Sequence, residues 1–137
     1  MAINFSAINL EVIDLNTNTT PDIYINLNGI TFSRRVLEDL NYPQTVQYCM
    51  DASQHVFAIR ACKSNENRAT PFSKPRGEQT TTLSCGNKNL KETLVMMIPD
   101  FDATQRYKVT GELDTENRVM YFDMTTATVS VFKGSRA

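Results

Sequence analysis

Residues able to do chemistry are few in this chain and widely spaced. His55 is the one histidine among 137 residues, so any histidine-dependent triad or proton relay must centre on it. No serine or cysteine has a sequence-based claim to pair with it. Its position at the end of a predicted hairpin favours a structural, partly exposed imidazole. Cys49, Cys62 and Cys85 are odd in number and show neither C-x-x-C spacing nor clustering with histidine. That pattern argues against a disulfide framework or a zinc site, and we read them as free thiols, with Cys49 and Cys62 on strands. Asp100-Phe101-Asp102 offers two carboxylates but no third acid or glycine pattern, so it reads as a solvated loop after Pro99. No catalytic residue, metal site, cofactor or enzymatic activity is expected.

Charge is more informative. The formal net charge is −1, yet residues 1–57, 58–91 and 92–137 carry local net charges of −4, +5 and −2. The basic middle contains Arg60, Lys63, Arg68, Lys74, Arg76, Lys88 and Lys91, and such a cluster suits phosphate or an acidic partner. A solvated connector would carry the same composition. Arg34 and Arg35 stand apart from this stretch, at a predicted strand-to-helix junction, where cations and helix amides can meet phosphate together. The candidate nucleic-acid-binding residues are therefore Arg34, Arg35, Arg60, Lys63, Arg68, Lys74, Arg76 and Lys88.

The elements that must position these residues are mostly strands. Residues 3–13 alternate well enough for a strand, with Ile8, Leu10 and Val12 on one side. After the turn-rich 16–22 segment, Ile23–Leu27 and Ile30–Phe32 form two strands about an Asn28-Gly29 turn. Ser33 is a predicted N-cap for a helix from Arg34 in which Val36, Leu37 and Leu40 share the buried face and Pro43 forbids continuation. Thr45–Met50 and His55–Ala61 then form a hairpin about a turn at Asp51-Ala52-Ser53-Gln54. The expected register sets Met50 opposite His55, Tyr48 opposite Phe57 and Val46 opposite Ile59, with all six side chains inward.

Residues 63–81 have loop composition, with Phe72 placed to pin them to the body. The pattern then recurs. Thr82-Leu83-Ser84 resembles Thr31-Phe32-Ser33, a second helix carries Leu90, Leu94, Val95 and Ile98 up to Pro99, and Met96-Met97 read as core. Tyr107–Leu113 and Arg118–Met124 flank the Asp114-led turn. An offset of 63 residues maps Val46, Tyr48, Met50, His55, Phe57 and Ile59 onto Val109, Gly111, Leu113, Arg118, Met120 and Phe122. Only the Tyr-to-Gly pair changes chemical type sharply. Thr128–Phe132 gives a last strand. The expected fold is mainly β with two short helices, a small barrel or sandwich from two pseudo-repeated strand-helix-hairpin units.

The run Ile30 to Tyr42 with its following hairpin, residues 30–62, resembles the swapped-hairpin units of AbrB, MazE and SpoVT-type proteins. The resemblance implies two interlocked units in a small barrel and DNA contact by basic residues near the strand-to-helix junction. Ser33 would take the cap position, Arg34 the basic position, Val36 and Leu40 the core, and Asn41 the position of the family's glycine. Pro43-Gln44-Thr45 replaces the family's Gly-Asp, and the second unit has Ser84-Cys85-Gly86-Asn87-Lys88 in place of a basic pair.

A length of 137 residues suits one domain, divided as residues 1–29 (N-terminal strands), 30–62, 63–81 (loop) and 82–132. No apolar run approaches a membrane span, and the opening residues lack a signal-peptide pattern, so a cytoplasmic protein is expected. DNA is the first partner expected, another protein the alternative, with an assembly role of the phage or mobile-element kind, and no membrane.

Overall fold

The computed structural model describes residues 4–10, 20–26, 29–75, 77–78 and 82–130. Strand β1 (Asp22–Asn26) pairs antiparallel with β2 (Gly29–Phe32), Ile23 opposite Phe32 and Asn26 opposite Gly29. Gly29 thus lies in the ladder. Its φ of 145° excludes most side chains, and a Cβ there would collide with the carbonyl oxygen of Cys85 on β6 (Leu83–Cys85), which pairs with the other edge of β2.

Helix α1 (Arg34–Asp39) follows β2 and buries Val36 and Leu37, with Leu40 buried at its C-cap. Ser33 occupies the N-cap position, but its hydroxyl makes no capping bond, contrary to the sequence expectation. It accepts from the Asp22 amide at 2.9 Å and donates to the Thr20 carbonyl at 3.2 Å. The Ser33 amide also donates to the Asp22 carbonyl, so the residue acts as one more rung of the sheet and its hydroxyl is spent there. The helix ends before Pro43, where Asn41 and Tyr42 adopt φ of 61° and 50° and the Tyr42 amide closes onto the Leu37 carbonyl.

Two hairpins supply the centre of the sheet: β3 (Thr45–Asp51) with β4 (Val56–Ala61), and β7 (Tyr107–Asp114) with β8 (Val119–Asp123). The first pairs Met50 with Phe57, Tyr48 with Ile59 and Val46 with Ala61. The expected pairing is displaced by two residues, because Asp51 belongs to β3 and the turn runs over 52–55. A two-residue displacement keeps every side chain on its expected face, yet it moves two of the six inward positions to the tip. Met50 is 57% exposed and His55 partly so, whereas Val46, Phe57 and Ile59 are buried and Tyr48 is half-buried.

The second hairpin pairs Leu113 with Met120 and Gly111 with Phe122, the register of the first offset by 63 residues. Each turn ends in a left-handed residue, His55 at 59° and Arg118 at 54°. In each, the preceding aspartate accepts from turn amides: Asp51 from Ser53 and Gln54, Asp114 from Asn117. The Tyr-to-Gly mismatch has a packing reason. The Phe122 ring lies over Gly111, so close that a Cβ would be 2.7 Å from it.

The strands form one curled antiparallel sheet in the order β5-β3-β4-β8-β7-β1-β2-β6, where β5 is Thr70–Pro71, and β9 (Thr128–Val129) pairs with β7. Its concave side holds an aromatic row: successive ring centroids of Phe32, Tyr48, Phe57 and Phe122 lie 6.3, 6.0 and 5.8 Å apart. Tyr48 is held there as the neutral phenol, since burial, reinforced by the neighbouring Cys85 thiol, pushes its pKa well above the ordinary 10.

The expected 63–81 loop contains β5, and its next residues are strapped to the body. The Phe72 amide donates to the Gln44 carbonyl, its ring meets Phe32 edge-on at 5.2 Å, and Ser73 donates to the Pro43 carbonyl. Helix α2 (Lys88–Met96) is capped by Asn87, whose side chain accepts from the Leu90 amide. Leu94, Met97 and Ile98 are buried, but Met96 is 82% exposed. The expectation of two core methionines therefore holds only for Met97, because adjacent residues point in different directions around a helical turn.

Residues 4–10 are not a strand. They form a single 3-10 turn, Phe5–Ala7, with Phe5 and Leu10 exposed; alternation alone makes no strand without a ladder partner. Residues 11–13 of that expected strand, and residues 131 and 132 of the last one, lie outside the described residues.

Candidate nucleic-acid interface

Antiparallel pairing gives the barrel two distinct ends. The first gathers α1, the 115–118 turn, the start of β3, the end of β4 and the strap over 62–75. The second gathers α2, the 52–55 turn and the chain after α2. Each hairpin tip is tied to a helix from the other part of the chain. Arg118 Nη2 donates to the Leu40 carbonyl, the C-cap of α1, at 2.6 Å. His55 Nδ1 lies 2.8 Å from the Met97 carbonyl, the C-cap of α2. Helix C-termini leave carbonyls without intrahelical partners, and these two side chains meet that need.

Six of the eight residues singled out from sequence lie at the α1 end. Arg34 and Arg35 begin α1, Arg60 is on the convex side of β4, and Lys63, Arg68 and Lys74 follow along the strap. Lys88 does not join them: it begins α2 at the opposite end, because β2 and β6 are antiparallel and release their helices in opposite directions. Arg76 lies outside the described residues.

The six are not equally available. Arg35 Nε bonds Asp39 at 2.8 Å and is largely covered, while Arg34 meets Glu38 only at 3.7 Å and stays exposed. Arg60 holds the Gln47 side-chain oxygen through two nitrogens, at 2.6 and 3.0 Å. Lys63, Arg68 and Lys74 are exposed. Carboxylates are interleaved among them, since Glu38, Asp39, Glu66, Asp114 and Glu116 share this end.

A cleft of about 680 Å³ opens between the end of α1 and the strap, bounded by Tyr42, Gln44, Cys62, Lys63, Ser64 and Arg118. Its charged lining among the described residues is Lys63 and Arg118, both cationic. Such a cleft favours an anion, because field lines from like charges converge in a concave surface. Arg118 was missed as a site residue from sequence, although the 63-residue offset places it where His55 stands in the first hairpin.

Among the described residues, no helix is long and apolar enough to cross a membrane, and no three side chains are grouped to hold a metal. Comparison with protein-family models, with curated proteins and with solved structures finds no match to this chain.

Proposed function

We propose that this chain is a non-enzymatic DNA-binding module of the transcription-regulator kind, in which two diverged strand-helix-hairpin units interlock and the α1 end faces the phosphate backbone. The observation that carries the reading is the placement of Arg34, Arg60, Lys63, Arg68 and Lys74 on elements at one end of the sheet, where Lys63 and Arg118 also line a cleft. Phosphate contacts require clustered cations, and concave placement raises their local effect.

The reciprocal ties from Arg118 to α1 and from His55 to α2 support the interlocked arrangement, as does the shared register of the two hairpins. The second unit contributes Arg118 to the α1 end through its hairpin tip, so the basic surface draws on both units although only the first has a basic junction. The interleaved carboxylates predict modest affinity with a backbone-dominated, salt-sensitive character.

A gel-shift or fluorescence-anisotropy series with duplex DNA at two salt concentrations tests the reading. Binding at low salt that weakens steeply as salt rises is the expected result. No salt-sensitive binding even at low salt would overturn it.

A second reading, assembly with another protein, is favoured by the exposed Met96, Phe5 and Leu10 side chains, none of which the DNA reading employs.

A further inference from the structure

The cleft at the α1 end is larger than contact with a phosphate group requires. Its volume of about 680 Å³ falls within the roughly 300–1,000 Å³ of small-molecule sites. Its lining is also divided by chemistry. Lys63 and Arg118 are the charged residues of the described lining, with no carboxylate beside them; Gln44 and Ser64 bring an amide and a hydroxyl, and Pro43 and Pro75 bring apolar rings.

Neither cation is neutralised in the cleft by a described residue. Arg118 places one nitrogen, Nη2, on the Leu40 carbonyl, which anchors the guanidinium at the cleft and leaves Nε and Nη1 without a partner among the described residues. Glu66, the carboxylate nearest to Lys63 in sequence, accepts from the Lys63 backbone amide at 2.6 Å and forms no ion pair with its ammonium. Two cations without a compensating carboxylate suit a dianion better than a monoanion. An internal phosphodiester of DNA carries one negative charge. A phosphomonoester carries about −1.5 to −2 at pH 7 and offers three acceptor oxygens for charge-assisted hydrogen bonds.

We infer that this cleft receives a nucleoside phosphomonoester, with the phosphate between Lys63 and Arg118 and the nucleoside along Gln44, Ser64 and the two proline rings. The same chemistry is presented by a free nucleotide and by the 5′-phosphorylated end of a DNA strand. The inference rests on the proposed DNA reading only in placing phosphate at the α1 end. It adds a preference for a terminal over an internal phosphate, and a place for the nucleoside.

Isothermal titration calorimetry of the full chain with the four deoxynucleoside 5′-monophosphates, the matching nucleosides and inorganic phosphate tests the free nucleotide. Fluorescence anisotropy with one DNA duplex bearing either a 5′-phosphate or a 5′-hydroxyl, at fixed salt, tests the strand end. In at least one arm the phosphomonoester should bind about tenfold more tightly than its counterpart lacking the phosphate. Lys63→Ala and Arg118→Asn should each erase that preference, with unchanged circular dichroism spectra to show that they fold, whereas Lys88→Ala at the opposite end should retain it. A preference confined to the monophosphates identifies a free nucleotide as the ligand, and one confined to the duplex identifies a strand end. No preference in either arm would overturn the proposal, as would a preference that survives Lys63→Ala, or inorganic phosphate bound as tightly as the monophosphates. The two readings fail separately. Salt-sensitive binding of the 5′-hydroxyl duplex without any phosphomonoester preference removes this inference and keeps the DNA reading, while a preference for monophosphates without duplex binding does the reverse.

Discussion

At the α1 end, the residue that closes a hairpin turn and reaches a helix C-cap is Arg118; at the α2 end it is His55. Both adopt a left-handed conformation, and both follow a turn headed by an aspartate. Around Arg118 the surface is a polar cleft with Lys63 and a bank of further bases, while the α2 end has an apolar groove with Met96 at its edge. The backbone plan is shared and the surface chemistry is not. Packing constrains the buried side of each hairpin, whereas the outward residues are free to differ. This contrast is why DNA is proposed at the α1 end alone.

The contrast is broken most completely in the interior that serves both ends. Phe57 stacks between Tyr48 and Phe122 and so joins the two hairpins. Phe57→Ala should cost about 3–5 kcal/mol, read as a lower urea midpoint by circular dichroism, and should abolish function at both ends together. A loss confined to one end would show that the hairpins are energetically separate.

A finer cut is made at Gly111, the counterpart of Tyr48. Gly111→Ala would press a methyl group into the buried Phe122 ring, an overpacking cost of roughly 1–3 kcal/mol in thermal or urea denaturation. A neutral outcome would show that the ring has room to turn aside. The ties themselves are compared by Arg118→Asn and His55→Asn, since asparagine tolerates the left-handed backbone but cannot reach the helix. Arg118→Asn should cost more, about 1.5–3 kcal/mol for a guanidinium donor against about 0.5–1.5 kcal/mol for a single ring hydrogen bond. Arg118 is exposed, so solvent screening places it at the low end of that range.

The electrostatic difference is sharpened by salt. Lys63→Ala should weaken DNA binding uniformly across sequences and reduce the salt slope by about 1, whereas Lys88→Ala should leave both unchanged. Equal effects would erase the assignment of DNA to one end.

The smallest effect is expected from acid. Hydrogen bonds from Ser53 and Gln54 hold Asp51 below the ordinary 3.8, and one from Asn117 does the same for Asp114. A lowered folded pKa means stabilisation that is complete above the unfolded value and is lost as pH falls through the folded one. Both hairpin tips should therefore loosen together only below an ordinary aspartate pKa near 3.8. Amide exchange at Gln54 and Asn117 across that range would report it, and loosening already at pH 6 would point to another group.

Much of the fold was legible in sequence. Sequence pattern located seven of the nine strands among the described residues in outline, apolar spacing found both helices, and the inward face of each hairpin followed from parity. Exact pairing was not legible. Where the turn starts depends on whether Asp51 and Asp114 join the ladder, and that rests on hydrogen bonds across the sheet which no local pattern encodes. The 3–13 expectation failed over residues 4–10 for a related reason, since alternation states a preference for two faces and cannot supply a neighbouring strand. The bases of the candidate site were recognised as residues, but their grouping was not, because Lys63 and Arg118 meet at a cleft only once β4 and β7–β8 are paired.

The sequence by itself determined the mainly β class, the places where chain direction must change, and the charge imbalance between its middle and its flanks. These are local or compositional properties, fixed by side-chain size, backbone freedom and charge. The tertiary structure alone decided that Arg118 rather than Lys88 shares an end with Lys63, that Met96 faces outward, and that Phe122 fills the space above Gly111. Each of these depends on which strands lie side by side, a long-range choice settled by the packing of the whole sheet.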